Sequence, residues 1–254
     1  QEKAYNLLIT QMRKEMTTDL KIDFDELDKF GFRRLQTPLE ALNMVYPSTQ
    51  LDKFIENPGL QQNALETYPL MVGKNGMRTT MNYIDDSTKK VPIKYNYSYK
   101  PEIVEKYGRI FSEDVIQKYS AKIFSIIQAI KKSKGIVLIY SQYIDGGIVP
   151  LSLALEELGI TRFGTSEHTK SLFETPPREE IDAITMKPKS EIKEGFKPAR
   201  YALITGDKSF SPNNAEDIKI ITNENNKDGG MVKVVLISRA GSEGLDFKCI
   251  RQVH

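Results

Sequence analysis

Two short runs limit what this chain can fold into. IVLIY (Ile136 to Tyr140) and VKVVLIS (Val232 to Ser238) are apolar and β-branched almost throughout. A strand with one wet face alternates, whereas a strand covered on both faces reads as a continuous apolar run. A third run, YALIT (Tyr201 to Thr205), has the same texture. Helical patterns lie between them: IVPLSLALEEL (Ile148 to Leu158), closed by Gly159, and a more polar segment from Ala215 to Thr222. The order strand, helix, strand, helix, strand predicts a parallel sheet with right-handed crossovers, an α/β fold.

The helix feeding the first strand is expected to start at Ser112 as N-cap, with Glu113 and Asp114 in its first turn. Ile116, Tyr119, Ile123, Ile127 and Ile130 continue it as one stripe, and Gly135 ends it. Residues 164–199 are rich in Pro, Glu, Lys and Thr and read as an insertion into the α/β rhythm. Residues 1–111 lack that rhythm. They suggest an irregular, mainly helical linking or accessory region, with a helix at 1–16 and another at 37–47 capped by Thr37. VGKNGM reads as a turn, and VPIKYNYSYK as a half-exposed strand. The expected division is therefore 1–111 and 112–254.

Composition excludes more than it selects. Lys plus Arg number 36 against 34 Asp plus Glu, so a polyanion would have to be held by local geometry and not by a basic tail. One cysteine, Cys249, and two histidines, His168 and His254, leave no internal disulfide and no zinc framework. Cys249 reads as a buried packing residue, His168 as a solvated side chain and Asp85-Asp86 as a turn. KKSK at 131–134 reads as cations at a helix C-terminus, and KYNYSYK as an exposed edge strand before a base-stacking platform. No apolar run is long enough to span a bilayer. The chain opens at Gln1 inside a helical pattern and stops at His254 after an apolar stretch, which suggests a window on a longer polypeptide.

In an open parallel sheet, ligands bind beyond the carboxyl ends of the strands. Three such ends offer hydroxyls and glycines suited to a phosphate: Ser141-Gln142, Thr205-Gly206-Asp207 and Ser238-Arg239-Ala240-Gly241.

The string VVLISRAGSEGLDF, residues 234–247, resembles motif V of superfamily 2 helicases and translocases. GIVLIYSQY resembles motif IV, and ALITGD the strand and turn between the two. The insertion, the YSAKIFSII helix and the SRAGSEGLDFKCIRQVH ending are similar to helicase-like ATPases of large nucleocytoplasmic DNA viruses. The resemblance includes those of the poxvirus early-transcription-factor small-subunit and nucleoside triphosphate phosphohydrolase type. QEKAY and RRLQTPLEALNMVYP resemble the segment joining the two lobes of such proteins.

The resemblance implies that 112–254 is a second RecA-like helicase lobe, cut at its C-terminus, preceded by the inter-lobe linker. It implies nucleic-acid contacts from Ser141, Gln142, Gly206, Ser238 and Gly241. On the nucleotide side it implies Asp246 near the ATP ribose, with Glu243 and Gly244 shaping the turn. ATP and Mg²⁺ would be held mainly by a missing N-terminal lobe. GKNG at 73–76 is no Walker A loop, no acidic box is present, and the arginine-finger motif would follow His254. No catalytic or metal-binding residue is expected in this chain, and by itself it is expected to be inactive.

Implied partners are a DNA or RNA backbone, the missing lobe and viral transcription machinery, with no membrane. The location implied is intracellular, in the virion or host cytoplasm. A different class stays open: a transcription or virion subunit that keeps the lobe for promoter and protein contacts without unwinding. A methyltransferase or dehydrogenase fits poorly, because YSQYIDGG is not a dinucleotide fingerprint.

Overall fold

The computed structural model of the chain describes residues 1–18, 36–57, 68–86, 93–167, 169–239 and 246–254. His168 and the turn residues Gly241, Glu243 and Gly244 lie outside the described residues.

The fold is α/β, and its centre is a five-stranded parallel sheet, as in a RecA-like lobe. Its strands are β3 (Ile136–Tyr140), β4 (Thr161–Phe163), β5 (Arg200–Ile204), β6 (Val234–Ile237) and β7 (Ile250–Val253), in spatial order β4-β5-β6-β3-β7. The three apolar runs of the sequence occupy the three inner positions. The edges are short, and their side chains are mostly half-buried or exposed, which keeps an open sheet edge from templating aggregation.

Alternation sorts the inner strands onto two faces. Val137, Ile139, Tyr201, Leu203, Val234 and Leu236 enter the larger core. Ile136, Ala202, Ile204, Val235 and Ile237 enter the other, which α8 (Asn214–Ile221) closes with Ile218 and Ile221. The larger core is covered by α6 (Ala121–Lys132) and α7 (Val149–Glu157).

The helix expected from Ser112 onward is divided in two. The four-residue α5 (Glu113–Ile116) ends, and Ser120 starts α6 by accepting the Ile123 N–H on its hydroxyl at 2.9 Å. Ser112 makes no such side-chain bond. The apolar stripe continues in phase across the break, so periodicity alone does not reveal it. Lys131, at the far end of α6, pairs with Glu113 at 2.7 Å.

The same core runs into the first hundred residues. Met44, Tyr46, Met77, Met81, Tyr97, Ile103, Ile110 and Phe111 belong to it. These come from the chain that follows a helical stretch at 36–43, from α3 (Gly73–Thr80), from a hairpin of β1 (Met81–Asp86) and β2 (Ile93–Tyr99), and, for the last three, from the helix and chain beyond the hairpin. α4 (Pro101–Tyr107) leads out of the hairpin. Thr37 lies inside the 36–43 helix and does not cap it, GKNG opens α3 and is not a turn, and Asp85-Asp86 end a strand. A smaller core joins α1 (Glu2–Thr18) to α2 (Thr49–Glu56) and the 68–72 segment.

β2 is not an exposed platform. Tyr97 is buried and stacks on Tyr83 at 4.7 Å. Tyr99 donates its hydroxyl to Glu157 at 2.6 Å. Two adjacent buried carboxylates at the end of α7 make the joints. Glu157 takes Tyr99 and Arg109, the latter at 2.9 Å. Glu156 accepts the Ser171 and Tyr201 hydroxyls and the Leu172 and Phe173 N–H groups, all within 3.0 Å. The insertion then meets the hairpin directly, with Tyr97 bridging to Phe173. Farther along the insertion, burial pushes the Asp182 carboxyl up. The N–H groups of Lys197, Thr185 and Ile184 and the Thr185 hydroxyl outweigh that and hold it below its ordinary value.

Cys249 is exposed, with φ +63°, correcting the expectation of a buried residue. A left-handed residue just before β7 turns the chain into the edge strand and leaves its side chain outside. Among the described residues no helix is long and apolar enough to cross a membrane, and no group of three or more His, Cys, Asp or Glu is placed to hold a metal ion.

Candidate nucleic-acid interface

Register sets the geometry of the sheet's carboxyl rim. Ile204 pairs with Ile237, and Ile237 with Tyr140, so β5, β6 and β3 end at one level. Thr205, Ser238 and Ser141 are the first residues past it, on neighbouring strands about 4.8 Å apart. The ladder extends one step further: the Ser238 N–H donates to the Ile204 carbonyl at 3.1 Å and the Ser141 N–H to Ile237 at 3.0 Å.

β3 and β6 are neighbours whose onward connections leave in opposite directions along the sheet, toward β4 and β7. Such a switch point opens a crevice at the strand ends. Ser141 and Ser238 stand on its two sides.

Ser238 is buried, and its hydroxyl accepts the Gly206 N–H at 3.4 Å, while Gly206 itself is exposed. Accepting that bond leaves the hydroxyl hydrogen for donation. Ser141 is half-buried; its hydroxyl contacts the N–H and carbonyl of Tyr143 at 3.2 and 3.1 Å. A Cβ at Gly147 would fall 2.2 Å from that hydroxyl, so a glycine there gives Ser141 its position. Gln142 and Asp246 are exposed.

The turn after β5 carries groups that the sequence reading did not single out. Ser211 accepts the Thr205 N–H at 2.9 Å and lies 2.8 Å from the Thr205 hydroxyl. Ser209 donates its N–H to Asp207 at 2.9 Å, and Asn214 donates its amide to the Thr205 carbonyl at 2.8 Å. Ser, Thr and Asp within TGDKSFS were the available signal, since such residues stiffen turns by bonding their own backbone. The turn that presents Gly206 is therefore fixed in advance.

Past Ser141 the chain makes a π-helical turn, Ile144–Ile148, before α7. A cleft of about 460 Å³ opens between this turn, the 36–43 helix and α3, lined in part by Thr37, Glu40, Lys74, Asn75, Gln142 and Asp145. Burial raises the Glu40 carboxyl above its ordinary value; a hydrogen bond from Gln36 opposes this and the nearby Asp145 charge adds to it.

No family model and no solved structure matches the chain. Among curated proteins it is 30% identical over 155 residues to a termination factor NPH-I homolog of African swine fever virus (isolate Tick/South Africa/Pretoriuskop Pr4/1996), covering 56% of this chain and 21% of that protein. The homolog from isolate Pig/Kenya/KEN-50/1950 is 31% identical over 148 residues, covering 53% and 20%. A protein of Acanthamoeba polyphaga mimivirus that carries the name of an ATP-dependent RNA helicase is 28% identical over 154 residues, covering 58% and 22%. The chain spans about a fifth of the length of these relatives. Over rather more than half of its own length, then, this chain is a relative of helicase-like proteins of large DNA viruses.

Proposed function

We propose that the chain is the second lobe, with its preceding linker, of an ATP-dependent nucleic-acid translocase of superfamily 2 that works in viral transcription. The observation that carries this reading is the level rim, with Gly206, Ser238 and Ser141 on three adjacent strands about a switch point. An exposed backbone at Gly206 in line with the Ser238 and Ser141 hydroxyls, the one buried and the other half-buried, suits successive phosphates of a strand, and such contacts fix position without reading sequence. Gln142 and Gly241 extend the row in this reading. Asp246, beyond the Glu243-Gly244 turn, faces the nucleotide held mainly by the other lobe, with ATP and Mg²⁺ as cofactors. One strand-turn unit then touches both ligands, so a shift of the lobe on hydrolysis becomes movement along the strand.

The test is nucleic-acid-stimulated ATPase of the intact protein. Ser238→Ala and Gly241→Val are each expected to lower stimulation at least about tenfold, as loss of about 1.4 kcal/mol of coupling would. Stimulation unchanged in both variants overturns the reading. The 254-residue chain alone is expected to hydrolyse no ATP.

A second reading is a transcription subunit that keeps the lobe for promoter and protein contacts. The termination-factor name of its relatives favours it. An intact protein that binds nucleic acid but shows no stimulated hydrolysis decides for it.

A further inference from the structure

The cleft beside the π-helical turn is unlike the rim it adjoins. Apart from Gln142, which the two share, rim groups are hydroxyls and backbone N–H, which suit phosphate. The cleft instead gathers two carboxylates, Glu40 and Asp145, three primary amides, Gln36, Asn75 and Gln142, and one ammonium, Lys74. Two negative charges against one positive make it a poor seat for phosphate. Amides that donate and accept, set beside carboxylates that accept, match the edge of a nucleobase, with its ring nitrogens, amino groups and carbonyls. At about 460 Å³ it falls within the about 300–1,000 Å³ typical of small-ligand sites.

The cleft is also built. The Glu40 carboxylate lies between Gly73 and Gly146, and a Cβ at either would stand 2.3 or 3.1 Å from its nearest atom. Gly73 has φ +53°, a conformation that glycine adopts without strain. Two glycines about seventy positions apart thus leave room for one acid. Part of the cleft wall, from Gln142 to Gly146, comes from the loop that directly follows Ser141, so the cleft and the rim are joined through one turn of chain.

We propose that this cleft receives one unstacked nucleobase, read on its hydrogen-bonding edge by Glu40, Asn75, Gln142 and Asp145. The inference rests on the reading of the rim as a nucleic-acid interface and adds to it a base contact supplied by the first hundred residues. Single strands are recognised in this way wherever bases splay out of the stack.

The probe is a short fluorescent single-stranded oligonucleotide, in DNA and RNA form, beside an abasic strand with the same phosphates. Binding to the 254-residue chain is followed by anisotropy. The base-bearing strand is expected to bind about tenfold more tightly, as about 1.4 kcal/mol for one base contact implies. Asp145→Ala and Asn75→Ala should erase that difference and keep the abasic affinity, which also reports intact folding. Equal binding of the two strands to the unaltered chain overturns the base site and leaves the phosphate rim standing. Gly206→Val without effect on the abasic strand overturns the rim, and absence of all binding overturns both. A free nucleoside that removes the increment by competition confirms the cleft and a strand base as its source. A nucleoside triphosphate that binds there together with the oligonucleotide assigns the base to free nucleotide. Displacement by N-acetylarginine amide but by no nucleoside makes the cleft a seat for a protein cation and overturns the proposal.

Discussion

The Ser238 hydroxyl accepts the Gly206 backbone N–H at 3.4 Å, joining the end of β6 to the turn that follows β5. Both residues are therefore parts of one surface before any ligand arrives. Ser238→Ala leaves the Gly206 N–H to solvent and is expected to cost about 0.5–1.5 kcal/mol of folding stability. A urea titration should show a lower midpoint at unchanged slope.

Gly147→Ala tests the other side of the crevice. The new methyl would stand 2.2 Å from the Ser141 hydroxyl, and the serine must leave the rotamer that bonds Tyr143. Oligonucleotide affinity is expected to fall severalfold while the urea midpoint moves by less than about 1 kcal/mol equivalent. An unchanged affinity removes Ser141 from the interface.

Glu156→Ala is expected to be the most damaging single change. It strands the Leu172 and Phe173 N–H groups and the Tyr201 hydroxyl in the core, with a cost of about 3–5 kcal/mol. Denaturant unfolding measures it, and proteolysis should cut first near Ser171. A loss under about 1 kcal/mol contradicts the assigned bonding.

Glu40→Gln should stabilise the chain at neutral pH. Burial and Asp145 favour the neutral acid, so the folded-state value lies above the ordinary 4.5. A raised value means that stability from this group is fully present below about 4.5. It is lost as pH rises through the folded value. The gain of the glutamine variant should therefore appear at pH 7 and vanish as pH falls toward 4.5.

Lys233 is the converse case. It is buried, its ammonium donates to the Ser133 carbonyl at 2.9 Å, and burial lowers it below the ordinary 10.5. The folded chain thus disfavours the charged form, and stability rises with pH between the lowered value and 10.5. Lys233→Met is expected to gain up to about 1 kcal/mol at pH 7. The gain should shrink in thermal melts above pH 9.

What the sequence discloses follows burial. β3, β5 and β6 are legible because both faces are covered, which forces continuous apolar runs. β4 has three residues and β7 alternates as IRQV, so neither edge strand stands out from loop sequence. The rim turns are legible because small polar residues must follow buried strands. The first hundred residues misled because their glycines serve packing. Gly76 reads as a turn, yet it sits inside α3, where a Cβ would strike the Tyr46 ring at 2.3 Å. The cleft was invisible because Glu40, Asn75 and Asp145 meet only through tertiary structure.

Consecutive Glu156 and Glu157 fix different parts of the chain, the insertion and the hairpin, to one turn of α7. A shortened chain beginning at residue 112 would lack Tyr99 and Arg109 and leave the Glu157 carboxylate stranded. One lacking 164–199 would strip Glu156 of Ser171, Leu172 and Phe173 and leave it the Tyr201 hydroxyl alone of these four. The smallest self-sufficient folding unit is thus larger than the sheet, and trimming it at motif boundaries would give insoluble protein.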